Sequence, residues 1–126
     1  MDIYREAILD HYKNPRNYGH LHKPHAVTEQ ENVTCGDRIA MEVIFTKDTY
    51  GHVRVSDIRF SGVGCVISQA SASLLTEKVR GMDVREILKL TAADIMEMLG
   101  TELTPTRVKC AVLSLEVLDN AIQKHA

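Results

Sequence analysis

No run of apolar residues in this 126-residue chain comes near the length that crosses a bilayer, so no membrane partner is expected. An excess of one charge is also missing. Fifteen basic residues against 17 acidic ones leave a formal charge of −2, with no basic surface to expect for nucleic acid. The chain has no internal repeat, no low-complexity tract and no Pro/Gly/Ser-rich linker, so one continuous domain over residues 1–126 is expected. It carries no phosphate-cradling glycine loop and no paired-carboxylate acid/base motif. The opening residues do not read as an export signal, because Asp2, Arg5, Glu6 and Asp10 interrupt them. Cysteine is scarce and odd in number, three in all, which points to reduced thiols in the cytoplasm.

What is present is the composition of an ordinary globular protein, long enough to bury one core without disulfides. Residues 2–13 set Ile3, Ala7, Ile8 and His11 or Tyr12 on one face of an amphipathic helix, which Asn14-Pro15 should end. Residues 15–25 read as an irregular connection. Ile39, Met41, Val43 and Phe45 then alternate as in a half-buried strand. Asp48 and Gly51 suit a turn into a second strand at Val53–Phe60, whose alternation shifts near Asp57. A strand around Ala26–Val33 completes an expected three-stranded antiparallel sheet.

Helical spacing returns after Cys65, with Val66, Ala70, Ser73, Leu74 and Glu77 on one face and Gly81 as the expected C-cap. Asp83 and Thr91 should cap two short helices, the second closed by Gly100. A long C-terminal helix should begin near Pro105 or Cys110. The methionines Met82, Met96 and Met98 fall at core-like positions. Strands followed by helices indicate an α+β fold with the helices packed on one sheet face.

The three cysteines lie in separate neighbourhoods. Cys35 stands in Thr34-Cys35-Gly36-Asp37; in an extended approach Cys35 and Asp37 point to the same side, with Gly36 leaving room between them. Gly-Asp is also an ordinary turn. Cys65 follows Gly62 and Gly64 at a strand-to-helix junction, where a helix N-terminus lowers a thiol pKa; a tight turn with an incidental cysteine has the same sequence. Cys110 follows Arg107 and Lys109, cations that favour an ionised thiol, though a solvated basic helix edge reads the same way. Three unrelated buried thiols are the plain alternative. Against it, each cysteine begins or precedes a regular element, where distant side chains can converge. Three thiols and one carboxylate suffice for one tetrahedral thiophilic metal. His20, His22 and His25 cluster in a polar connection and are expected to be surface residues. No histidine has a local signature supporting a Cys–His hydrolase.

In this order and spacing, the three neighbourhoods resemble the iron–sulfur cluster assembly scaffold family of IscU-like, SufU-like and NifU N-terminal-domain proteins. The opening Tyr4-Arg5-Glu6-Ala7-Ile8-Leu9-Asp10-His11-Tyr12 and Asn14-Pro15-Arg16-Asn17-Tyr18-Gly19 resembles that family's first helix and turn. Phe60-Ser61-Gly62 and Gly64-Cys65-Val66-Ile67-Ser68-Gln69-Ala70-Ser71-Ala72-Ser73 match it more specifically. The resemblance implies that Cys35, Asp37, Cys65 and Cys110 ligate a transient [2Fe–2S] cluster, or zinc or iron in its absence. It implies sulfur acceptance from a cysteine desulfurase, with Cys110 as the acceptor and Lys109 modulating its thiolate. Delivery to apo iron–sulfur recipient proteins follows, with an iron donor as a further partner.

The chain departs from both main branches. IscU-type members usually have histidine where Lys109 stands, and SufU-type members usually carry an insertion between the second and third cysteines that this chain lacks. Leu103-Thr104-Pro105-Thr106-Arg107 matches the Leu-Pro-Pro-Val-Lys chaperone segment poorly, which argues against dedicated chaperone handling. A zinc-dependent sulfurtransferase and a small structural zinc protein are the competing expectations.

Overall fold

Alternating apolar residues in the middle of the chain build the sheet, and the helices follow from what that sheet must bury. The computed structural model describes residues 3–125, so Asp2, at the start of the expected first helix, lies outside the described residues. Strands β1 (Ala26–Asn32), β2 (Asp37–Lys47) and β3 (Val53–Val63) pair antiparallel in the order β1-β2-β3. Ile39, Met41 and Val43 of β2 and Val55, Ile58 and Phe60 of β3 are fully buried on one face. Each such side chain stabilises the fold by about 1.5–3 kcal/mol relative to exposure. The shift near Asp57 is a bulge: Ile44 pairs with Asp57 and Phe45 with Val55, leaving Ser56 as the extra residue.

Helices α1 (Ile3–Lys13), α2 (Val66–Val79), α3 (Val84–Ile87), α4 (Ala92–Leu99) and α5 (Pro105–His125) complete the α+β architecture. The 21-residue α5 lies along β1 and β2, where the Thr28 hydroxyl donates to the Val117 carbonyl at 2.9 Å. Between α1, α5 and β3 runs α2. Its serines substitute for the contacts that larger residues would prevent: Ser71 Oγ donates to Ala111 O at 2.6 Å, and Ser73 Oγ meets His11 Nδ1 at 2.7 Å. The connection at 15–25 is largely irregular, as expected. Its Asn17–Gly19 part nevertheless pairs with the free edge of β3, Phe60 N–H donating to Asn17 O and Gly19 N–H to Phe60 O.

Several helical details differ from the periodicity reading. In α1 only Ile8 and His11 are buried, while Ile3, Ala7 and Tyr12 are exposed, because the helix meets its neighbours along a single narrow line. In α2 the burial runs nearly all round, with Glu77 exposed and Leu74 half-buried, because packing on several sides removes any one apolar face. Gly81 does not cap α2; extended Arg80 does, and Gly81 (φ +83°) turns the chain so that its N–H donates to Val55 O. Asp83 and Thr91 cap α3 and α4 as expected, the latter in a reciprocal pair with Asp94, and Gly100 closes α4 at φ +71°. Of the methionines, Met82 and Met98 pack half-buried against the core, and Met96 lines a surface hollow with Tyr4. Among the described residues no helix is long and apolar enough to cross a membrane.

Candidate metal centre

Four segments meet at one end of the sheet: the β1–β2 turn, the exit of β3, the start of α2 and the second turn of α5. Cys35 sits in the turn and not in the strand. Its N–H donates to Asn32 O at 3.3 Å, and the Thr34 N–H donates to Asn32 Oδ1 at 3.2 Å. Gly36 completes the turn at φ +71°; a Cβ there would meet nothing within 4 Å, so the position needs glycine for its backbone angle and not for clearance. Asp37 is the first residue of β2 and is 1% exposed.

The buried carboxylate of Asp37 is held from one side. Its Oδ1 accepts from the Cys65 N–H at 2.9 Å and from the Ser68 hydroxyl at 3.2 Å. Its Oδ2 is buried and, among the described residues, has no hydrogen-bond partner. A buried carboxylate oxygen left unpaired is costly. Beside it, the Cys110 thiol donates to Cys35 Sγ at 2.8 Å. Donor atoms of Cys35, Asp37 and Cys110 lie within 4.8 Å of one another.

Cys65 is brought to the same place by its backbone more than by its sulfur. It is the N-cap of α2, and its Sγ accepts from the Ser68 N–H at 3.5 Å, outside the group of three donors. A thiol can satisfy an orphan amide of the first helical turn as a hydroxyl does.

Cys110 corrects an expectation. It lies inside α5, fully buried, and not at the start of an element. Burial pushes its thiol above the usual range, and the hydrogen bond to Cys35, the nearby Asp37 carboxylate and the charge of Cys65 raise it further. The expected lowering by Arg107 and Lys109 is overridden, since both cations are exposed and the thiol faces a carboxylate. Lys109 instead lines a surface hollow with Glu31, Thr34 and Glu116, on the outer side of the Cys35 turn.

The profile of the NifU-like N terminal domain matches residues 3–126. The chain belongs to that family. It is 36% identical to the zinc-dependent sulfurtransferase SufU of Bacillus subtilis (strain 168), an alignment covering 98% of this chain and 91% of the relative. It is 37% identical to the iron–sulfur cluster assembly scaffold protein IscU of Aquifex aeolicus (strain VF5), covering 97% of this chain and 75% of the relative. Among solved structures, a candidate SUF-system scaffold protein from Fervidobacterium islandicum AW-1 superposes with a TM-score of 0.75 at 30% identity, covering 93% and 94% of the two chains.

Within this family fold, two residues of the site escaped the sequence reading. Gly64 stands where a Cβ would lie 2.3 Å from Ser68 Oγ and 2.6 Å from Asp37 Oδ1, so its hydrogen is what admits the carboxylate. Ser68, 1% exposed, bonds both Asp37 and Cys65. Its position three residues after the N-cap cysteine is the signal that could have found it. His20, His22 and His25 are exposed, as expected: His20 pairs with Glu42, and His25 accepts from the Phe45 N–H while stacking on its ring.

Proposed function

We propose that this chain is a scaffold for iron–sulfur cluster assembly, with Cys35, Asp37, Cys65 and Cys110 as the ligands of a [2Fe–2S] cluster that is cargo and not a resident cofactor. The observation that carries the reading is the buried Asp37 carboxylate, which offers an oxygen within 4.8 Å of the sulfurs of Cys35 and Cys110 and whose Oδ2 lacks a hydrogen-bond partner among the described residues. A cation there supplies the missing partner and, by its charge, deprotonates the neighbouring thiols. The mixed sulfur and oxygen donor set fits iron or zinc. Similarity to a protein named as an assembly scaffold supports the same role. Sulfur arrives from a cysteine desulfurase: an acceptor thiolate attacks the outer sulfur of the donor's persulfide and releases the donor's thiolate. Cys110 can be that acceptor only when the 33–36 turn moves aside, since it has no exposure; Lys109 on the outer side of that turn offers the incoming anion a positive charge. Delivery to apo-proteins follows, with an iron donor as a further partner. Three free thiols fit a reducing compartment such as the cytoplasm.

A second reading, a zinc-dependent sulfurtransferase, is favoured by one observation. Three donors are already gathered while Cys65 Sγ stands outside them, so a metal on the three leaves one thiol for persulfide relay. It also agrees with the name of a relative at 36% identity. Anaerobic incubation with iron, cysteine and a desulfurase separates the two. A [2Fe–2S] absorption spectrum that is lost to an added apo-ferredoxin supports the scaffold. Retained zinc, faster desulfurase turnover and no cluster would sink it and support the relay. Mass spectrometry of the persulfide then decides between Cys110 and Cys65.

A further inference from the structure

Asp37 could present either carboxylate oxygen, and the structure contains the device that chooses. Oδ1 takes two donors, the Cys65 N–H at 2.9 Å and the Ser68 hydroxyl at 3.2 Å. Ser68 has one hydroxyl proton and two acceptors in range, Asp37 Oδ1 and Cys65 O at 3.1 Å, while its oxygen accepts from the Cys65 thiol at 3.8 Å. The Cys65 carbonyl already accepts from the Gln69 N–H at 3.1 Å, and a carboxylate is the stronger acceptor. The proton therefore goes to Asp37. Ser68 is 1% exposed and so has no water to turn to. Its own N–H meanwhile holds Cys65 Sγ at 3.5 Å. One residue thus touches two of the proposed ligands and belongs to neither.

We propose that Ser68 is a positioning residue that ties back Oδ1 of Asp37, so that the aspartate meets a bound metal through Oδ2 alone. This rests on the metal-site reading above. Without the hydroxyl, Oδ1 keeps only the Cys65 N–H, and the carboxylate can pivot about that single bond. Residues that orient a ligand in this way typically change metal affinity by about 10- to 100-fold when removed.

The test is a set of four full-length proteins under anaerobic conditions: wild type, Ser68→Ala, Asp37→Ala and the double variant. Each is titrated with zinc against a chromophoric chelator. Ser68→Ala should weaken zinc binding about tenfold or more in the wild-type background. In the Asp37→Ala background it should change binding by less than about twofold, because the residue it positions is gone. Ser68→Thr, which keeps the hydroxyl, should recover most of the loss. With cobalt(II), Ser68→Ala should keep the thiolate charge-transfer band and shift the visible d–d bands, since the change is at the oxygen ligand.

An equal loss in both backgrounds would mean that Ser68 serves only α2, and would overturn the proposal. No loss in either would overturn it too. Failure of the wild type itself to bind zinc or cobalt through these residues would bring down both this inference and the metal-site reading, an outcome distinct from the other two.

Discussion

Replacing Gly64 by alanine should damage the site and the fold together, by an amount the geometry sets. The backbone at Gly64 lies outside the left-handed region, so alanine meets no torsional penalty and the effect is purely one of space. Its Cβ would stand 2.3 Å from Ser68 Oγ, 2.6 Å from Asp37 Oδ1 and 3.2 Å from Asp37 Cγ. Both oxygens must retreat by roughly 1 Å to reach ordinary van der Waals separation. Ser68 and Asp37 are each only 1% exposed, and neither is a long side chain that can swing into solvent. Overpacking of this kind costs about 1–3 kcal/mol. Retreat of Oδ1 also stretches its bonds from Cys65 N–H and Ser68 Oγ, each worth about 1.5–3 kcal/mol when the acceptor is charged. Partial relaxation leaves a net loss of about 2–4 kcal/mol, or roughly 10 °C in Tm for a domain this size. Urea unfolding of the metal-free protein with reductant at pH 7 measures the first quantity, and zinc competition measures the accompanying loss of affinity. Asp37→Ala in the same chain should relieve part of the clash, making the double variant less unstable than the sum of the singles. An unfolding free energy within about 0.5 kcal/mol of wild type, with zinc affinity intact, would refute the account of Gly64 as the space that Asp37 occupies.

Two ionisable groups away from the site give pH signatures of their own. Burial, and secondarily Glu116, raises the Asp119 carboxyl to about 6, and its buried Oδ1 has no hydrogen-bond partner among the described residues. The unfolded chain therefore ionises first as pH rises above 3.8, so this residue lowers stability between there and about pH 6. Asp119→Asn should be near neutral at pH 4 and more stable than wild type at pH 7 by about 1 kcal/mol, after allowing for solvent screening of a half-buried group; thermal melts at the two pH values check this. His11 is shifted the other way, below its usual 6.5, chiefly by burial, with Arg16 adding to the shift and Glu77 and Asp10 opposing it. Its protonation favours the unfolded chain, so stability should fall as pH drops through 6.5. A pH series comparing wild type with His11→Gln should show that part of the acid sensitivity gone, and parallel curves would exclude His11 as its source.

Elements whose causes are local can be read along the chain. Alternation in Ile39–Val43 sets a period of two, and the Thr91–Asp94 pair and Gly100 mark both ends of one helix; these rules act over a few residues, so they can be read without partners. That Cys35, Asp37, Cys65 and Cys110 could form one ligand set is an expectation from donor type and motif resemblance; nothing local says that Cys35 and Cys110, 75 positions apart, end with sulfurs 2.8 Å from each other. Tertiary structure decided what the site is like inside. The face of α2 was unreadable because a helix enclosed on several sides has no polar stripe to betray it. The thiol of Cys110 is set by what surrounds it in space, Cys35 and Asp37, and not by its charged sequence neighbours, which are exposed to solvent. Ser68 and Gly64 matter only because β2 delivers a carboxylate to the start of α2. Sequence proximity carries conformational preference; desolvation, clearance and hydrogen-bond competition belong to whatever the fold places alongside.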